Sequence, residues 1–109
     1  MLPKKNRLSR KEILGFLPRA KSFQGKFLSL HFIPLKDNLF KAGVSVSKKV
    51  AKSAVKRNSV RRRIYRALVP HQNRISKATF LFVVKNFDNS NSLTEEAVSL
   101  LKKANLLKD

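Results

Sequence analysis

Cysteine and tryptophan are absent from this 109-residue chain, and only six of its residues are acidic. Without cysteine, neither a disulfide framework nor a thiolate metal site can form, which fits a reducing compartment such as the cytoplasm. Long apolar runs are also missing, since the longest, residues 80–84, is far short of a membrane span. Residues 13–17 are too few for a signal peptide and end at Pro18. The sequence therefore predicts a cytoplasmic protein that does not associate with membranes.

The scarcity of acidic residues also limits the chemistry that the chain itself can perform. The six acids are scattered, and the sequence has no paired carboxylates, no His-x-x-x-His and no glycine-rich phosphate loop. His31 lies in an alternating, strand-like segment and His71 follows Pro70, so we interpret both as structural or surface histidines rather than catalysts. We predict no catalytic residue and no metal site in the protein.

Basic residues, by contrast, are abundant: 25 Lys and Arg give a net charge of +19. Such a charge opposes compaction by self-repulsion, so the working state is expected to be a complex with a polyanion. Residues 48–66 hold nine basic side chains and no acid. A merely solvated helix face usually alternates in sign, and this block does not. The block therefore predicts phosphate binding to a nucleic acid, without deciding between DNA and RNA. The candidate residues are Lys48, Lys49, Lys52, Lys56, Arg57, Asn58, Arg61, Arg62 and Arg66.

Local signals predict the elements that precede this block. Ser9 and Glu12 form a capping box for a helix over about residues 9–17, which Pro18 ends. Alternation in residues 27–33 and 40–46 predicts two strands, paired as a hairpin through a turn at residues 37–38. One face of this hairpin is apolar, and the other is small and polar, which suits an open groove.

The basic block itself has the pattern of an amphipathic helix. Ser53 is a candidate N-cap, and Pro70 bounds the far end. The apolar stripe consists of Val60, Ile64, Ala67 and Leu68. Opposite the stripe, we expect Asn58, Arg62 and Arg66 to stack as one ridge.

The remaining pattern completes one domain over residues 1–109. Residues 79–84 are apolar on both faces and predict an inner strand. A second capping box, Ser92 with Glu95, begins a helix with an apolar stripe. The predicted order is α-β-β-α-β-α, with a further short strand compatible with residues 22–24. The fold class is α+β, a sheet covered by helices.

Two motifs resemble those of the bacterial ribonuclease P protein component. They are Gly43-Val44-Ser45-Val46-Ser47-Lys48-Lys49-Val50 and Ala54-Val55-Lys56-Arg57-Asn58-Ser59-Val60-Arg61-Arg62. The N-terminal Asn6-Arg7-Leu8 and the closing strand and helix are similar as well. The resemblance implies the small subunit of an RNA enzyme that removes the 5′ leader from precursor tRNA. The implied partners are the ribonuclease P RNA, whose bound Mg²⁺ ions serve the hydrolysis, and precursor tRNA, with no required protein partner. It also implies a left-handed crossover between parallel strands, against a strong general rule.

The resemblance further implies a leader-binding cleft between the Arg-rich helix and the sheet. Its candidate residues are Phe16, Phe27, His31, Ser45 and Ser47. Core packing is an equal alternative for both phenylalanines, and Leu14 competes with Phe16 for one position. The chain departs from the family pattern at Ala51, Ser59 and Tyr65, where Gly, Arg and Arg are common.

Two other classes of protein share this composition. A small basic ribosomal protein would bind RNA without turnover, and a DNA-binding helix module would use the same basic face. Only a ribonuclease P subunit is expected to lower the Mg²⁺ that the RNA subunit needs for cleavage.

Overall fold

A computed structural model describes residues 3–33, 40–86 and 92–107, which form a four-stranded sheet with three α-helices. The helices are α1 (Arg10–Phe16), α2 (Ala54–Leu68) and α3 (Ser92–Lys103). The strands are β1 (Lys21–Gln24), β2 (Leu28–Ile33), β3 (Lys41–Val46) and β4 (Thr79–Val84). Short 3₁₀ turns occupy Lys4–Asn6, Leu17–Arg19 and Val69–Arg74. The α+β class, the element order and the additional strand near residues 22–24 are all confirmed.

The strand order corrects one prediction, the hairpin of β2 with β3. The order is β1-β2-β4-β3, so β4 lies between the two strands that we expected to pair. β4 runs antiparallel to β2 and parallel to β3. Phe80, Leu81 and Phe82 are at most 1% exposed, so β4 needs a neighbour on each side and cover on both faces. The predicted turn at residues 37–38 lies outside the described residues, and the hand of the β3–α2–β4 crossover stays a prediction.

The main core lies between one face of the sheet and the helices α2 and α3. Val60, Ile64 and Leu68 are buried as predicted, and Ala67 is half-buried. The sheet supplies Leu28, Leu30, Phe32, Ala42, Val44, Val46, Phe80, Phe82 and Val84. Tyr65 joins this core although the apolar stripe did not include it. The stripe fixes the rotation of α2, so its basic side chains lie beside or away from the sheet.

The N-terminal segment covers part of the second face of the sheet. Leu8 N–H donates to the Ala42 carbonyl at 2.8 Å, which lays this segment along the open edge of β3. A Cβ on Gly43 would lie 3.2 Å from Leu8 Cδ1 and 3.0 Å from Leu81 Cδ1. Gly43 therefore permits the close approach of the segment, and Phe16 and Leu81 are buried on this side. The face that the sequence predicted to be an open groove is thus partly covered.

Local capping explains where the first two helices begin. Ser9 N–H donates to Glu12 Oε1 at 3.1 Å, and Glu12 N–H donates to Ser9 Oγ at 3.2 Å, so the capping box is confirmed. Ser53 Oγ accepts from Lys56 N–H at 3.3 Å, which confirms the N-cap of α2. The described part of α3 begins at Ser92, and the predicted capping box of Ser92 with Glu95 stays a prediction.

Candidate RNA interface

The first half of the basic block is a solvent-facing loop between β3 and the cap of α2. The backbone N–H groups of Val50 and Ala51 both donate to the Ser47 carbonyl at 3.1 Å, which closes a tight turn. The block's lysines before and in the first turn of α2 are exposed, namely Lys48, Lys49, Lys52 and Lys56. The loop and the first turn of α2 therefore present ammonium groups to solvent, where phosphates can reach them.

Arg57 links this loop to α2. Its Nη1 donates to the carbonyl oxygens of Ala51 and Lys52 at 3.0 and 2.8 Å, and the residue is half-buried. The sequence predicted Arg57 as an RNA contact. The structure adds a positioning role, because the guanidinium sets the loop that carries Lys48 and Lys49 against the helix.

A groove of about 670 Å³ runs between the N-terminal segment and α2. Its lining residues are Lys4, Arg7, Leu8, Ser9, Glu12, Asn58, Arg61, Arg62 and Tyr65. Three of these, Asn58, Arg61 and Arg62, were predicted to bind RNA. The groove brings four cationic side chains together with a single carboxylate.

Two members of the predicted ridge, Asn58 and Arg62, line the groove, and the third, Arg66, does not. Arg66 is exposed but does not line the groove, where Tyr65 follows Asn58 and Arg62 instead. Tyr65 follows Asn58 by seven residues, which is nearly two full turns of an α-helix. Arg66 follows it by eight residues and is therefore rotated most of a quarter-turn past the direction of Asn58. Tyr65 therefore shares the direction of Asn58 better than Arg66 does.

Two groove residues, Lys4 and Arg7, were missed by the sequence analysis. Both lie more than forty positions before α2, and no local pattern predicts that they meet it. The pairing of Arg7 with Ala42 at the edge of β3 places them there. The resemblance at Asn6-Arg7-Leu8 was the one available signal. Asn6 itself is buried and donates from Nδ2 to the Phe40 carbonyl at 2.9 Å, so it anchors the segment.

Hydrogen bonds within the groove orient its polar groups. Arg61 Nη2 donates to Asn58 Oδ1, so Asn58 positions that guanidinium and keeps its amide N–H groups for another acceptor. Burial raises the pKa of Tyr65, and a backbone hydrogen bond with Val44 and the charges of Arg7 and Arg61 oppose that rise. Tyr65 is therefore a neutral hydroxyl group near two guanidinium groups.

The one carboxylate of the groove is already engaged. Glu12 Oε2 lies 2.5 Å from Lys41 Nζ, while Oε1 accepts from the Ser9 backbone. The Lys41 hydrogen bond, followed by that from Ser9, holds the pKa of Glu12 below its ordinary value. Glu12 thus joins α1 to β3 and leaves the groove strongly positive.

The predicted cleft residues on the sheet are partly brought together. Ser45 of β3 is exposed and lies in one row with Val83 and Ser29, and His31 lies in the next row of the same face. Ser29 Oγ and His31 Nε2 are 3.1 Å apart, and burial lowers the pKa of His31. His31 therefore stays neutral at physiological pH. Ser47 is exposed in the loop after β3.

The two predicted phenylalanines do not lie on this exposed surface. Phe16, the last residue of α1, is only 4% exposed, whereas Leu14 on the same helix is 70% exposed. Phe27 is half-buried against the main core, with Lys26 Nζ 5.4 Å from its ring centre. Glu96 Oε1 accepts from the backbone N–H groups of Phe27 and Leu28 at 2.9 and 2.8 Å. These positions favour the packing alternative for both rings and leave Leu14 as the apolar candidate.

Two features are absent from the part of the chain that the structure describes. Across residues 3–33, 40–86 and 92–107, no three His, Cys, Asp or Glu side chains cluster as metal ligands would. In the same ranges every helix is too short or too polar to cross a membrane.

Comparison with known proteins identifies the family. The family model described as Ribonuclease P matches residues 2–105. The chain belongs to the ribonuclease P protein family. A ribonuclease P protein component from Clostridium botulinum strain 657 is 33% identical over 109 residues, which covers 94% of this chain and 97% of the relative. One from Picosynechococcus is 37% identical over 67 residues, covering 61% and 58% of the two chains. Membership assigns the chain to tRNA processing.

Solved structures of ribonuclease P proteins share the fold. The Staphylococcus aureus protein at 2.0 Å resolution superposes with a TM-score of 0.84 at 19% identity, covering 94% of this chain and 98% of that one. The Thermotoga maritima protein gives a TM-score of 0.66 at 23% identity, with 94% of each chain covered. The arrangement of four strands and three helices is therefore that of known ribonuclease P proteins.

Proposed function

We propose that this chain is the protein subunit of ribonuclease P and that it binds both the catalytic RNA and the 5′ leader of precursor tRNA. The observation that carries the proposal is the acid-free basic block, which lies on an exposed loop and helix and borders a cationic groove. Phosphate backbones are the polyanions that such a surface neutralises. We infer that the subunit works in the cytoplasm.

The RNA subunit is the proposed partner of the groove and of α2. Arg61 and Arg62 can grip phosphate oxygens with two parallel hydrogen bonds, and the loop lysines add point charges. Asn58 can donate to RNA while it orients Arg61. Arg57 supports the loop and makes its RNA contacts through the neighbours it positions.

The leader is the proposed ligand of the second sheet face. Ser45 and the Ser29–His31 pair offer hydroxyl and imidazole groups, and the exposed Leu14 offers an apolar contact for a base. Single-stranded RNA is commonly bound by such surfaces next to a cationic strip, because the bases are free to contact side chains.

Cleavage is proposed to belong to the RNA subunit and its Mg²⁺ ions. Within the described residues the protein has no cluster of metal ligands, and its one groove carboxylate is paired with Lys41. The protein would act by binding and orienting the substrate, which lowers the entropic cost of reaching the productive complex.

The test compares two substrates in the reconstituted enzyme. Precursor tRNA with its leader and the same tRNA without a leader are titrated against the RNA subunit, with and without the protein. We expect the protein to tighten binding of the precursor by tenfold or more, about 1.4 kcal/mol, and to change binding of leaderless tRNA much less. Equal tightening of both substrates would contradict leader binding while leaving RNA-subunit binding intact.

A further inference from the structure

The N-terminal segment borders a second cavity, separate from the cationic groove. Lys4 and Arg7 line the groove, whereas Lys5 and Asn6 line a cavity of about 370 Å³ whose opposite wall comes from residues 72–77, after α2. Pockets for small molecules usually have volumes of about 300–1,000 Å³. None of the residues that line this cavity belongs to the groove or to the sheet face proposed for the leader.

Hydrogen bonds and a β-bridge fix both walls of the cavity. In the first wall, Asn6 N–H donates to the Pro3 carbonyl at 2.9 Å, and Asn6 Nδ2 donates to the Phe40 carbonyl at 2.9 Å. In the second wall, Ile75 pairs with Leu107, which follows α3. The cavity is therefore formed before a ligand arrives, as is typical of small-molecule sites.

Two amide side chains favour one kind of ligand. Gln72 is half-buried and Asn73 is exposed, both in the 3₁₀ turn after α2. An amide holds an N–H donor beside a carbonyl acceptor, which complements N7 and the N6 amino group of adenine. Pro3, Phe40 and Ile75 line the same cavity and supply apolar surface for a base.

Two lysines, Lys5 and Lys77, set the charge of the cavity. Both are exposed, and the described residues that line the cavity include no acid. An ammonium group binds a phosphate as a point charge. The cavity thus combines apolar surface, amides and cations, which are the groups that the base and the phosphate of a nucleotide require.

We propose that this cavity binds a single adenine nucleotide. Gln72 is the principal contact of the base, because it is the more buried of the two amides, and Lys5 and Lys77 bind the phosphate. The site goes beyond the proposed function, since no residue of the groove or of the leader face takes part. The nucleotide is either an unpaired one of an RNA or a free mononucleotide, because both present the same base and phosphate.

The first experiment uses the full chain without RNA. Adenosine and guanosine monophosphate (AMP and GMP) are titrated by calorimetry at constant ionic strength. Both have the same charge, so general attraction to a +19 protein is equal for the two. Guanine presents two acceptors, N7 and O6, where adenine presents an acceptor and a donor, so we expect saturable AMP binding and about tenfold weaker GMP binding. Equal affinities, or AMP binding without saturation, would overturn the proposal.

Matched substitutions test the named contacts. Gln72→Met removes the amide at similar side-chain length, and Gln24→Met makes the same change on the edge strand β1. Lys77→Gln and Lys11→Gln each remove one exposed charge, the second outside the cavity. We expect AMP binding to weaken about tenfold in Gln72→Met and about threefold in Lys77→Gln, with little change in the two controls.

Equal AMP affinity in Gln72→Met and Gln24→Met would contradict the assignment of the base contact. If Gln72→Met melts too low to titrate, the two lysine variants and the comparison of AMP with GMP decide the proposal.

The second experiment identifies the source of the nucleotide. Affinity for the ribonuclease P RNA is measured at fixed salt for the parent, Gln72→Met and Gln24→Met. A loss of about tenfold in Gln72→Met alone identifies an RNA nucleotide in the cavity. RNA affinity equal to that of the parent identifies a free nucleotide as the ligand. If the parent itself fails to bind this RNA, the proposed function fails while the first experiment still decides the cavity.

Discussion

At the scale of single residues, neighbouring residues of α2 have different structural roles. Arg57 bonds to two loop carbonyls, Asn58 orients Arg61, and Arg62 lines the groove. The residues of this motif that we propose as RNA contacts therefore include some that position their neighbours. Substitutions at these positions should weaken RNA binding for different physical reasons.

Among the groove residues, substitution of Arg62 is the clearest test of binding to the RNA subunit. Arg62→Ala should weaken binding of the RNA subunit by about 1–3 kcal/mol, the range of a charge-assisted hydrogen bond. Arg10→Ala removes the same charge from an exposed site outside the groove and should cost only a few tenths. The measurement is affinity at fixed salt, with folding checked by melting. Equal losses would mean that bulk charge, rather than the groove, carries binding.

Ile64 tests the rotation of α2. Its side chain is fully buried against the sheet, so Ile64→Ala should lower the free energy of unfolding by roughly 2–4 kcal/mol through the cavity it leaves. Val55→Ala, on the same helix but at a side chain that is 79% exposed, should change it little. Denaturant unfolding of both variants gives the comparison. A stable Ile64→Ala variant that has lost RNA binding would show that the helix is rotated differently.

At the scale of elements, the sequence predicted the features that depend on residues close together in the chain and missed those that depend on residues far apart. The capping box of α1, the N-cap of α2 and the apolar run of β4 are encoded by residues within a few positions of one another, and each was correct. The β2–β3 hairpin was wrong because pairing depends on β4, which follows both strands by more than thirty residues. Arg7 was missed for the same reason, since only the edge of β3 brings it to α2.

The turn between β1 and β2 depends on α3 through Glu96. Glu96→Ala would leave the N–H groups of Phe27 and Leu28 without their acceptor and should cost about 1–3 kcal/mol of stability. Glu95→Ala, exposed on the same helix, is the matched control and should cost much less. Thermal melting measures both. Equal destabilisation would attribute the effect to the first turn of α3 rather than to the turn that Glu96 holds.

The contact between α1 and β3 should depend on pH. Because the folded state lowers the pKa of Glu12, the stability it contributes is present above the unfolded pKa and is lost as pH falls through the folded one. Glu12→Gln keeps the capping geometry but not the Lys41 ion pair. It should therefore melt below the parent at about pH 6, and the gap should be smaller at about pH 3. Solvent screens this partly exposed pair, so the difference should be small. A gap of the same size at both values would mean that the ion pair does not stabilise the contact.

At the scale of the whole molecule, charge is the dominant feature. If the complex neutralises ~5–8 phosphates, the logarithm of RNA affinity should fall with the logarithm of salt concentration at a slope of about −4 to −7. Binding of the RNA subunit is measured across a salt series at constant Mg²⁺. A slope near zero would contradict an electrostatic interface, whichever residues form it.

The measurement that tests the central claim most directly is the Mg²⁺ dependence of precursor-tRNA cleavage by the ribonuclease P RNA. If the protein is the subunit that binds both RNAs, adding it should move half-maximal cleavage to a clearly lower Mg²⁺ concentration. Protein alone, after treatment with a ribonuclease, should cut nothing, because the described residues hold no metal-ligand cluster. An unchanged Mg²⁺ requirement, as a structural ribosomal protein would give, or cleavage by the protein alone, would contradict the account.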